Sequence, residues 1–76
     1  MDVADADRKI GLLERRYYEL NLAARTTRVQ LRELEAKANT VVSAVRLTLR
    51  NGLTGAEREM ASILEEIGRI EDSLLD

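Results

Sequence analysis

The sequence predicts an all-α protein, a lopsided antiparallel helical hairpin that assembles into a coiled-coil-like bundle. Three observations carry this expectation. Apolar residues recur by threes and fours along most of the 76 residues, and the palette is Leu, Arg, Glu and Ala with no Pro, Phe or Trp. A single cluster of turn-forming residues after residue 11, Arg50-Asn51-Gly52-Leu53-Thr54-Gly55-Ala56-Glu57, interrupts the pattern. No strand-like alternation competes, and the whole chain, 1–76, reads as one helical-hairpin domain.

The first helix is predicted over about 6–50. Asp5 or Asp7 supplies a cap at its start, and Gly11 is one tolerated weak spot. From Ile10 the positions 10, 13, 17, 20, 24, 27, 31, 34, 38, 41, 45 and 48 read Ile, Leu, Tyr, Leu, Ala, Thr, Leu, Leu, Ala, Val, Val and Thr, of which ten are apolar or Tyr. A 3.5-residue repeat held for this long is the pattern of coiled-coil packing, which a lone surface helix has no need of.

A tight turn is then predicted at 51–54. Gly52, after Asn51, can adopt the left-handed conformation that closes a helix, with Leu53 set to touch Leu47, and Arg46 and Arg50 suit the negative end of the helix dipole. Thr54 followed three residues later by Glu57 forms a capping box for the next helix. That second helix, about 55–75, carries the stripe Leu53, Ala56, Met60, Ile63, Ile67, Ile70 and Leu74, all apolar.

At ~1.5 Å per residue the first helix would span about 65 Å and the second about 30 Å. Ile10, Leu13, Tyr17, Leu20 and Ala24 would then have no partner within the chain. Burying side chains of this size stabilises by ~1.5–3 kcal/mol each, so these residues, with Leu31, form the predicted self-association face. A chain this short with neither Cys nor His has no disulfide and none of the usual zinc ligands to staple it, which leaves association as the way to add buried area. A parallel and an antiparallel homodimer both satisfy the stripe.

A second, looser stripe on the opposite flank comprises Tyr18, Leu22, Val29 and Ala36, with Leu47 beyond. It reads either as scattered surface apolar residues, which are normal, or as a partner-binding surface, with Tyr18 its best recognition contact because Tyr offers large area at low entropy cost.

Charge is unevenly spread. The net charge is −2, yet residues 8–50 carry ten Lys or Arg against four Glu, and residues 51–76 carry two Arg against seven acids, so the two segments should attract.

Catalysis has little to work with: without His or Cys the common acid–base and nucleophilic arrangements are absent, and Glu65-Glu66 and Glu33 with Glu35 sit at spacings that do not face one another on a helix. No catalytic, cofactor-binding or metal-binding residue is assigned, and no cofactor is expected. Arg8, Lys9, Arg15, Arg16, Arg25, Arg28, Arg32 and Lys37 give the first helix a basic character that makes nucleic acid the rival partner, although Glu14, Glu19, Glu33 and Glu35 are interspersed and no reading motif is present. No apolar run approaches bilayer-spanning length, the first residues are acidic where a signal peptide would be basic, and absence of Cys permits a cytoplasmic setting. The expectation is a non-enzymatic helical interaction protein, a small adaptor, assembly factor or chaperone that binds itself and another protein. The alternatives are a nucleic-acid-binding helical dimer and, more weakly, a small all-helical enzyme acting on an anionic substrate.

Overall fold

The computed structural model describes residues 2–36 and 40–75, and the side chains of the second helix from Ser43 onward. These residues form two helices, α1 (Val3–Glu35) and α2 (Thr40–Leu75), packed against each other as an antiparallel hairpin 56 Å long and 15 × 12 Å across. The all-α hairpin expected from the heptad pattern is therefore present. Its proportions are not those expected.

α1 ends at Glu35 instead of near residue 50, and Asn51, Gly52, Leu53, Thr54 and Glu57 all lie inside α2. The tight turn at 51–54 is corrected: α1 ends at Glu35 and α2 begins at Thr40. Among the described residues no glycine has a positive φ, so Gly52 and Gly55 are in right-handed helical conformation. The physical reason is a contest of magnitudes. A cap is worth on the order of 1 kcal/mol, whereas a reversal at residue 52 would strip the partner from half of the α1 seam, at ~1.5–3 kcal/mol for each large side chain left wet. With 33 and 36 residues the helices are nearly equal, and each seam can be covered along its length.

Both ends of α1 are simple. Asp2 holds the N-cap position with extended backbone (φ −67°, ψ 141°), its side chain makes no capping hydrogen bond, and its carbonyl accepts from the Ala6 amide at 2.9 Å. Asp5 is thus a first-turn acid at the positive end of the dipole and Asp7 a helix-interior residue; neither is the cap. At the other end Ala36 caps the helix with right-handed geometry, its N–H donating to the Leu34 carbonyl.

The two seams meet as their periodicity requires. On α1, Leu20, Ala24 and Leu31 are buried and Ile10, Leu13, Tyr17, Thr27 and Leu34 are half-buried. On α2, Ile63 and Ile70 are buried and Leu53, Ala56, Met60, Ile67 and Leu74 are half-buried. Ala6 extends the α1 seam by one turn toward the N-terminus. Ala38 and the Val41 side chain, the next seam positions, lie outside the described residues. Beyond the reversal the register changes. Arg46 and Leu49 are half-buried and lead by threes and fours into Leu53, Ala56 and Met60, whereas Val45 is exposed and lines a groove with Gln30, Leu34 and Leu49. Thr48, a seam position by its spacing in the sequence, points outward, and its hydroxyl donates to the Ala44 carbonyl at 3.2 Å.

Gly52 and Gly55 are exposed on α2, and a Cβ built on either meets nothing within 4 Å. Glycine inside a helix costs ~0.5–1 kcal/mol relative to alanine because it has more backbone freedom to lose. Gly52→Ala and Gly55→Ala should therefore each raise the free energy of urea unfolding by about that amount, and Gly52→Pro should lower it by ~3 kcal/mol or more. A turn at 51–54 would tolerate the proline and resist the alanine.

Candidate functional site

The hairpin presents two kinds of surface: the long edges where α1 and α2 meet solvent side by side, and the outer face of each helix. Their chemistry is set by position around the helix. Arg16 and Arg28 are separated by an angle of about 120° around α1, so they fall on opposite sides of the seam. Arg16 reaches Glu59 with two hydrogen bonds, Nε to Oε1 at 2.9 Å and Nη2 to Oε2 at 3.2 Å, and lies 3.8 Å from Glu19 on its own helix. On the other edge Arg28 Nη2 donates to Glu57 Oε1 at 3.4 Å, and Arg50 Nη2 lies 3.7 Å from Glu35 Oε1. Two of these three interhelical pairs set an arginine of α1 on a glutamate of α2 and the third runs the other way; the basic segment 8–50 and acidic segment 51–76 are not the two helices, since Arg46 and Arg50 belong to α2. Hydrogen bonding to Glu59, and then its negative charge, hold the Arg16 guanidinium above its ordinary pKa despite a small opposing desolvation. All three pairs are exposed, so each stabilises only weakly, and their main effect is on register.

The edge that carries Arg28 and Glu57 is also apolar. Ile10 and Tyr17 on α1 and Leu53 and Met60 on α2 are half-buried there, and Leu64, one turn beyond Met60, is 55% exposed. Leu64 is not among the residues the sequence pattern singles out. Its signal is its place four residues after a seam methionine, which sets it beside the seam instead of on it.

The six residues predicted for self-association are all on the α1 seam. The premise that Ile10 to Ala24 lack an intrachain partner is corrected: α2 runs their full length, and Leu20, Ala24 and Leu31 are buried within one chain. Ile10, Leu13 and Tyr17 keep part of their surface. Glu57, assigned to a capping box, instead accepts from Arg28.

The predicted partner-binding residues separate into two groups. Tyr18, Leu22 and Val29 share the outer face of α1, turned away from α2, and are 62%, 43% and 51% exposed. Ala36 is exposed but sits at the C-cap, past the last turn. Leu47, which the sequence placed on the same stripe, belongs to α2 and cannot continue it. Arg15 and Arg25 lie in line with the outer stripe, and among the described residues neither makes an ion pair or hydrogen bond, in contrast to Arg16 and Arg28.

A shallow groove of about 270 Å³ lies near the reversal, lined by Gln30, Glu33, Leu34, Val45 and Leu49. Of the four carboxylates considered as pairs, Glu33, Glu35 and Glu65 are exposed and Glu66 half-buried. Among the described residues no group of acids gathers as a metal site, and no helix is long and apolar enough to cross a membrane. No family model, curated protein or solved structure matches this chain.

The bidentate Arg16–Glu59 contact gives a direct test of the helix register. A double-mutant cycle with Arg16→Gln and Glu59→Gln should return a small favourable coupling that shrinks in about 1 M salt, and a repulsive coupling at low salt would contradict the pairing.

Proposed function

We propose that the hairpin is a non-enzymatic helical interaction module, an adaptor, assembly factor or chaperone of the cytoplasm, that pairs with a second copy and presents α1 to another protein. The observation that supports it most directly is how little one hairpin dries. Among the described residues the buried apolar ones are Ala6, Leu20, Ala24, Leu31, Ile63 and Ile70, and Ala is the smallest of core side chains. Two helices cover each other on one side only, and a domain of this size with no disulfide needs further burial to be robust.

The edge bearing Ile10, Tyr17, Leu53, Met60 and Leu64 supplies it. Two hairpins packed along this edge make a four-helix bundle in which the half-exposed side chains complete the core. Arg28–Glu57 and Arg50–Glu35 border the same strip as a polar rim. The self-association surface is thus carried over from the α1 seam to the seam's margin, where Ile10 and Tyr17 are shared by both readings.

Sedimentation equilibrium at tens of micromolar should find a dimer, with an unfolding midpoint that rises with protein concentration. Leu64→Glu, at a side chain outside the intrachain core, should shift the equilibrium to monomer and lower the midpoint. A wild-type monomer that unfolds cooperatively at a concentration-independent midpoint would refute the pairing.

A further inference from the structure

We propose that the outer face of α1, centred on Tyr18, Leu22 and Val29, docks an acidic amphipathic helix of a different protein. The inference rests on the reading of this chain as an interaction module and names the chemistry of its partner. The three residues span about 17 Å along the helix, roughly three turns, which is the contact length of a crossing or lateral helix. They are the largest apolar side chains on a face that α2 does not reach.

Charge selects the occupant. Arg15 stands three residues before Tyr18, and Arg25 stands three after Leu22 and four before Val29, so both lie in line with the stripe, Arg25 between Leu22 and Val29. Neither has an ion-pair partner among the described residues. The molecule itself shows what satisfies such a surface: α2 is an apolar stripe edged by Glu57 and Glu59, and it packs on α1 with those carboxylates on Arg28 and Arg16. The outer face offers the same two chemistries, large apolar residues with arginines between and beyond them, and so fits a helix that carries both Leu and Glu. A second copy of this chain fits less well, because two outer faces of α1 would bring arginines toward arginines, and the outer face of α2 offers Glu65 and Asp72 without a matching apolar stripe. An anionic bilayer is disfavoured by the net charge of −2 and by the narrowness of a three-residue stripe.

The test is an NMR titration of the full chain with a synthetic amphipathic helix of about twenty residues, Leu at three- and four-residue spacing and Glu along both margins. Saturable binding should perturb the amides of Arg15, Tyr18, Leu22, Arg25 and Val29. Leu22→Ser and Arg25→Glu, both at exposed positions, should keep the helical circular dichroism and each weaken binding about tenfold. A peptide with Lys in place of Glu should bind at least about tenfold more weakly. The proposal is overturned by no saturable binding at millimolar peptide, by perturbations confined to the hairpin edges, by equal binding of the Lys peptide, or by phosphatidylglycerol vesicles competing at this face as strongly as the Glu peptide. Sedimentation of the same variants separates the two proposals, since a change on the outer face should leave the dimer intact.

Discussion

The pairing of two apolar heptad seams, one from each helix, governs every other feature of this molecule. Leu20, Ala24 and Leu31 on α1 and Ile63 and Ile70 on α2 are dry only because the helices run side by side for nearly their whole length. That requirement locates the reversal. A chain with one continuous stripe must fold where the two lengths of stripe match, and residues 37–39 divide the described helices into 33 and 36 residues.

Small residues limit how much the seam can bury. Ala6, Ala24 and Ala56 let the helix axes approach closely but bring little area with them. A hairpin of this kind is held by a thin core and marginal ion pairs, so its remaining apolar surface has thermodynamic weight. Residues beside the seam, Leu64 above all, sit where a second hairpin would extend the core.

Electrostatics divides the arginines of α1 by direction. Arg16 and Arg28, on the two edges, find carboxylates on α2 and help set the register; Arg15 and Arg25, on the outer face, stand beside Tyr18, Leu22 and Val29 without one. This sorting also bears on nucleic acid as a rival partner. Of the basic residues of α1, Arg16 and Arg28 are engaged across the hairpin and are the less available to phosphates.

Much was legible in the residues alone: the all-α class, the antiparallel hairpin, the eight seam positions from Ile10 to Leu34, the seven from Leu53 to Leu74, the exposure of Tyr18, Leu22 and Val29, and the attraction of a basic segment for an acidic one. These are local or periodic properties, written in spacing and charge. Where the chain turns back is neither. Gly52 and the Thr54–Glu57 pair are real end signals of on the order of 1 kcal/mol, but a helix end is chosen by the burial that the whole seam achieves. Only the packed structure weighs that sum. It carried the helix through Gly52 and Gly55, reversed it after Glu35, and gave the α1 seam a partner inside its own chain, because continuous burial along two nearly equal helices outweighs a favourable cap.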